Sequence, residues 1–172
     1  MDNSIPAETK VYFSRKKALF SIIILGLLIC LGVYLLFNAS RLMPGKNPAL
    51  MYVYAVFCML FPIGPFYNQH KRFHNRAPQL ILDDKGIQIT SNSGSRFMPD
   101  TYTTQYYTWE EIGGEYVDKE RVGRTMISYL KFDNPNGNVK FAINSLDIDQ
   151  DYLNQLLVYY RELSGKKYKY YA

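Results

Sequence analysis

Hydrophobic and polar positions along this chain follow three patterns in succession. The first is continuous. "ALFSIIILGLLICLGVYLLF" (residues 18–37) and "ALMYVYAVFCMLFPIGPFY" (49–67) carry no charge. At about 1.5 Å per residue, twenty helical residues cover about 30 Å, the thickness of a bilayer's hydrocarbon core. A secretory signal has a shorter apolar run and a small-residue cleavage site, and neither is present. Two transmembrane helices are therefore expected, joined by the short loop 38–48 as an antiparallel hairpin. Pro62 and Pro65 fall late in the second run and should kink or end it. The second pattern has period two. "LILDDKGIQI" reads as a hairpin, with Gly86 expected at positive φ. "TTQYYTWEEI", "GEYVDKERV", "RTMISYLKFD" and "NVKFAIN" read as further strands, with 118–121 as a solvated tip and "NPNG" (134–137) as a turn. Six or seven strands result. The third pattern is helical. In "SLDIDQDYLNQLLVYYRELSG", Ile148, Tyr152, Leu153, Leu156, Leu157, Tyr159, Tyr160 and Leu163 fill one half of the wheel, while Arg161 falls on the polar half. Ser145 or Asp149 is the expected N-cap, and Gly165 the stop.

The strand order, "LILDDKGIQI", the "YTWEEI" strand end and the "FAINSLDIDQDYLNQLLVYYREL" finish resemble the bacterial pleckstrin-homology-like domains. More narrowly, the chain is similar to their small membrane-anchored form, a two-span hairpin followed by one such domain. The resemblance implies an α+β fold, with a partly open antiparallel barrel of six or seven strands and a C-terminal helix across one end. The expected order is an N-terminal segment 1–17, spans 18–37 and 49–67 around loop 38–48, a basic linker 68–78, the soluble domain 79–165 and a basic, aromatic tail 166–172. Phosphoinositide-binding relatives of that fold use basic residues in the first hairpin loop. Here Asp83, Asp84, Lys85 and Gly86 stand there, which argues against inositol lipid.

Charge refines this picture. The chain of 172 residues carries +5 net, but residues 80–165 carry −5, and the positive charge gathers beside the apolar runs. That distribution excludes a nucleic-acid-binding domain. Lys10, Arg15, Lys16 and Lys17 precede the first span, and Lys71, Arg72 and Arg76 follow the second, against Arg41 and Lys46 in the loop. The positive-inside rule places both termini in the cytoplasm of a plasma-membrane protein. Lys16, Lys17, Lys71, Arg72, Arg76, Lys166, Lys167 and Lys169 are the candidate contacts to lipid headgroups.

Candidate chemistry is sparse. Cys30 and Cys58 lie in the apolar runs, so no disulfide framework or CxxC metal pair serves the soluble part. His70 and His74 are four apart, but cationic Lys71 and Arg72 stand between them, and they read as interfacial polar residues. "DIDQD" (147–151) lacks the glycine and the final glutamate of a calcium loop and reads as a helix cap. Glu110 and Glu111 are adjacent and cannot form a dyad on one strand face. No catalytic residue, metal or cofactor is therefore expected. The function expected is a non-enzymatic, membrane-anchored module that binds a protein partner, with a toxin-neutralising immunity protein as one form. A second copy of the chain is a further candidate partner. Sensing of anionic headgroups by the basic segments is the alternative. The 16 tyrosines divide between sheet packing and a binding surface; Tyr102, Tyr106, Tyr107, Tyr116 and Tyr129 are the ones in the sheet region.

Overall fold

The computed structural model describes residues 6–42, 47–92 and 102–166. It is an α+β chain of two compact units, residues 15–75 and a second unit made of 1–14 together with 76–172.

The helical unit holds α1 (Arg15–Leu42), α2 (Ala49–Leu60) and α3 (Ile63–His74). Both Arg15–Leu42 and Ala49–His74 are long and apolar enough to cross a membrane, with mean hydropathies of 2.8 and 1.8. The second is broken between α2 and α3 because Pro62 has no N–H to continue the helix. Pro65 then falls in the first turn of α3, where the missing donor has no intrahelical partner to lose. Helices α1 and α2 approach closely at Gly32. A Cβ there would lie 2.7 Å from Met59 Cγ and 2.8 Å from the Ala55 carbonyl oxygen. Ala55 is fully buried. Small residues let two helix backbones come this close. Almost all the remaining apolar surface, Phe20, Leu27, Phe37, Val53 and Leu60 among it, is exposed.

The other unit is built from two antiparallel sheets. One runs β1 (Glu8–Val11), β2 (Leu80–Asp83), β3 (Gly86–Asn92), β4 (Tyr102–Thr108). The other runs β5 (Gly113–Val122), β6 (Thr125–Asn134), β7 (Gly137–Ala142). Helix α4 (Gln150–Leu163) follows. Leu80, Leu82, Ile87 and Ile89 from the first sheet, Leu130 and Phe132 from the second, and Leu153, Leu156, Leu157 and Tyr160 from α4 form one buried core with Val11 and Trp109. The barrel is not closed: among the described residues β4 and β5 are not paired. On the other side a bridge between Phe13 and Leu146, with Ser14 N–H on the Ser145 carbonyl (2.8 Å) and Asp147 N–H on the Tyr12 carbonyl (2.9 Å), ties the two sheets together.

The periodicity reading starts the soluble domain at residue 79. In the structure the domain also includes the segment ahead of α1, because β1 pairs with β2 (Thr9 opposite Leu82, Val11 opposite Leu80). The strand is fixed further by Thr9 Oγ1 against Tyr160 Oη at 2.7 Å, while Tyr160 Oη donates to the Pro6 carbonyl at 2.6 Å. Helices α1, α2 and α3 thus form the connection between the first two strands of the sheet. The Asp83–Gly86 turn joins β2 to β3 as the hairpin read from the sequence. Gly86 does not sit at positive φ. It is required because a Cβ would fall 2.0 Å from the Tyr107 carbonyl oxygen. Residues 118–121 lie within β5, and the hairpin turn is Gly123-Arg124, with Gly123 at φ +62°. The linker read over 68–78 is helical as far as His74. Arg161, assigned to the polar face of α4, is buried. The register of β5 shifts between Gly113 and Tyr116. Asp149 caps α4 by accepting from the Asp151 N–H, and Gly165 ends it at φ +71°, both as the sequence indicates.

Candidate functional site

The unpaired ends of helices, the outer faces of sheets and the charges they carry are where this chain can engage other molecules. In the helical unit, Lys16 and Lys17 occupy the first turn of α1, and Lys71 and Arg72 the last turn of α3. The connection reverses the chain, so these four cations lie at one end of the unit. Lys71, Arg72 and His74 face the negative end of the α3 dipole, which favours them there. Lys71 Nζ sits 4.6 Å over the Tyr67 ring. The histidines engage each other: His74 Nδ1 is 3.0 Å from the His70 carbonyl oxygen and the rings are 4.4 Å apart. Arg76 and Lys166 belong to the sheet unit instead. Arg76 is exposed, and Lys166 pairs with Glu110 at 2.6 Å. Lys167 and Lys169 lie outside the described residues, as do Lys46 in the loop and 93–101 ahead of β4.

The outer face of the three-stranded sheet carries a network that sequence inspection missed. Strand alternation puts Tyr116, Asp118 and Glu120 of β5 beside Tyr129 and Lys131 of β6 and Lys140 of β7. Lys131 Nζ reaches Asp118 at 2.7 Å and Glu120 at 2.5 Å, and Lys140 also pairs with Glu120. The hydrogen bond to Asp118, then that to Glu120, raises the Lys131 pKa above the usual lysine range. Asp118 and Glu120 are lowered, first by their hydrogen bonds to Lys131. Lys140 Nζ lies 4.1 Å from the Tyr129 ring centroid, and Lys131 5.5 Å from that of Tyr116. The signal in the sequence was present as acids at 118 and 120 and bases at 131 and 140, but it becomes a network only through strand register. Tyr116 is half exposed, as are Tyr102 and Tyr106 on β4, whereas Tyr107 packs edge-on against Phe132 with 5.0 Å between centroids. Tyr106 donates to Asp83 Oδ1 at 3.1 Å. Partial burial, then the Asp83 charge, pushes its pKa up to about 12.

Asp83 itself is an internal acceptor. Its carboxylate takes the N–H groups of Lys85 and Gly86, each at 2.8 Å, and its carbonyl takes the Trp109 indole N–H at 2.9 Å. Glu110 and Glu111 lie in the turn after β4, where Glu111 accepts from the Thr108 N–H at 3.1 Å. Deeper in the domain, Arg161 makes a two-pronged ion pair with Glu115, donates to the Ile112 carbonyl at 3.0 Å and lies 5.4 Å from the Trp109 ring centroid. These contacts satisfy a buried charge pair and bolt α4 to β5. Among the described residues no group of three His, Cys, Asp or Glu side chains is placed to hold a metal ion.

Comparison with models of known families, with characterised proteins and with solved structures gives no match to this chain.

Proposed function

We propose that the chain is a membrane-anchored binding module: α1 and the α2–α3 pair cross a bilayer, and the sheet domain recognises a protein partner beside it. The observation that carries this reading is the pairing of β1 with β2. It brings the chain segments before and after the apolar helices into one sheet, so a hairpin crossing twice returns to the side it left. The extent of exposed apolar surface on these helices supports the crossing. The Lys/Arg excess on the flanks over the loop supports the cytoplasmic face of the plasma membrane as the shared side.

The four-plus-three sheet arrangement followed by a helix supports the pleckstrin-homology-like assignment, in a version whose first strand precedes the membrane hairpin. Protein recognition is supported by the outer face of β5–β7. There Tyr116 and Tyr129 flank cations and acids that already neutralise one another. Aromatic area of this kind binds at low entropic cost, and a self-neutralised rim limits the desolvation a partner must overcome. Neutralisation of a toxin is one form this recognition takes. Gathering of Lys16, Lys17, Lys71 and Arg72 at one end of the helical unit supports an accompanying contact with anionic headgroups.

Purification of the full chain from its native membrane tests the proposal. A partner in defined stoichiometry that is lost on Tyr116→Ala is expected. Recovery of a single species without a partner, under several mild detergents, removes the support for partner binding.

A further inference from the structure

The β5–β6 hairpin overhangs the core. Val117, Leu130 and Phe132 lie on the core-facing side of these strands, with Leu130 and Phe132 buried. Two residues further along β5 the same side carries Lys119, then Arg121, and on β6 it carries Ser128, then Met126. Lys119, Arg121 and Arg124 are all exposed. Arg121 Nε donates to the Gly123 carbonyl at 3.2 Å, and no carboxylate pairs with any of the three among the described residues. The two acids of the same strand, Asp118 and Glu120, point to the opposite face and are held by Lys131 and Lys140. The tip therefore carries three cations and two apolar residues about half exposed at 49 % and 53 %, Val122 at the strand end on the opposite face and Met126 on the face of Arg121.

The position of this tip within the sheet domain is what gives it meaning. Strand β5 starts at the corner where the Trp109 indole bonds the Asp83 carbonyl, and runs ten residues to the opposite end. That opposite end is where the chain leaves the sheet for the apolar helices. Asn144 holds the tip's base, donating to the Met126 carbonyl at 3.2 Å and accepting the Ser128 N–H. The next residue, Ser145, accepts the N–H of Ser14, the last residue of the domain before α1.

Resting on the reading of α1–α3 as a membrane hairpin, we infer that the β5–β6 tip docks on anionic lipid headgroups of the leaflet that the hairpin enters. Lys119, Arg121 and Arg124 engage the phosphates, and Val122 and Met126 insert at the acyl boundary. Two cues set the occupant: three uncompensated cations complement an anionic surface, and the covalent exit to the apolar helices lies at this end of the sheet. The docked tip makes the sheet domain's attitude depend on the lipid charge of its own membrane.

The test uses the full chain with Cys30→Ser and Cys58→Ser, carrying Val122→Cys labelled with a nitrobenzoxadiazole fluorophore. The protein is reconstituted in phosphatidylcholine vesicles, or in vesicles with a third of that lipid replaced by phosphatidylglycerol. A spin-labelled lipid serves as quencher, and a Leu27→Cys label on α1 serves as the span control. Expected is a blue-shifted, lipid-quenched Val122 label in anionic vesicles only. Each cation beside an anionic leaflet contributes about a five-fold factor, so Lys119→Gln/Arg121→Gln/Arg124→Gln should reduce the docked-to-free ratio by roughly 10²-fold. Unchanged Trp109 emission in the triple variant would show that the fold is retained. A Val122 label that stays aqueous in anionic vesicles while the Leu27 label is quenched overturns the inference and leaves the membrane hairpin standing. So does quenching indifferent to lipid charge, or a response that needs an added acidic protein. An unquenched Leu27 label overturns both readings.

Discussion

Arg161 and Glu115 are 1 % and 0 % exposed at their side chains, and each is the other's charge partner. Replacing Arg161 with Met keeps most of the side-chain volume but leaves the Glu115 carboxylate buried without a cation and the Ile112 carbonyl without its donor. Breaking a buried pair from one side costs about 3–5 kcal/mol. Domain stabilities run to about 5–15 kcal/mol, so this one change removes a large fraction of the total. Arg161→Met/Glu115→Leu removes both charges together, and a well-packed apolar replacement of a buried pair is neutral or better by about 1–4 kcal/mol. The double variant should therefore be far more stable than Arg161→Met alone, with a coupling energy of about 3 kcal/mol or more. The chain has one tryptophan, Trp109, which is 2 % exposed and faces the Arg161 guanidinium. Urea unfolding of the full chain in a mild detergent, followed by Trp109 emission, thus reports the sheet domain and not the helices. The reasoning fails if Arg161→Met unfolds within about 1 kcal/mol of the parent, or if the double variant is no better than the single.

Three further outcomes follow from other parts of the structure. Val11→Ala removes two buried methyl groups from β1 and should cost about 1.5–3 kcal/mol in the same Trp109 assay, an effect absent if residues 1–14 are only a lead-in to the first helix. Gly32→Leu cannot fit against the Ala55 carbonyl and should separate α1 from α2, seen as loss of compact mobility in detergent, whereas Gly26→Leu, with nothing within 4 Å of its Cβ position, should be silent. Asp118 and Glu120 have folded pKa values below their unfolded ones through Lys131, so their stabilisation is present above about pH 4 and is lost as pH falls through the lowered values. Lys131→Met should flatten that acid limb, and an unchanged limb would refute the assignment.

The sequence was most informative where one periodicity ran unbroken. Residues 18–37 and 49–67 are continuous apolar runs, so both helices could be located, and Pro62 marked the break between α2 and α3. Glu8–Val11 was not legible as a strand because four residues are too few to display a period, and its partner lies about seventy positions downstream, beyond α1, α2 and α3. Arg161 was misplaced because wheel position assigns a charged residue to solvent, while burial here depends on Glu115, whose position only the register shift near Gly113–Tyr116 determines. The expected contacts Lys16, Lys17, Lys71 and Arg72 could be grouped from hairpin topology alone. Lys119, Arg121 and Arg124 could not, since recognising them needs the true turn at Gly123 and the face on which Asp118 and Glu120 are neutralised.

The central claim is that the segments flanking the apolar helices meet in one sheet on one side of a membrane. Lys10 lies opposite Ile81 across the β1–β2 pair. In native membranes, with Cys30 and Cys58 replaced by Ser, Lys10→Cys/Ile81→Cys should form an intrachain disulfide on mild oxidation. Before oxidation both thiols should resist a membrane-impermeant maleimide on the outer surface and react with it once the membrane is opened. Absence of the cross-link, together with the two thiols labelling from opposite faces, would contradict the account.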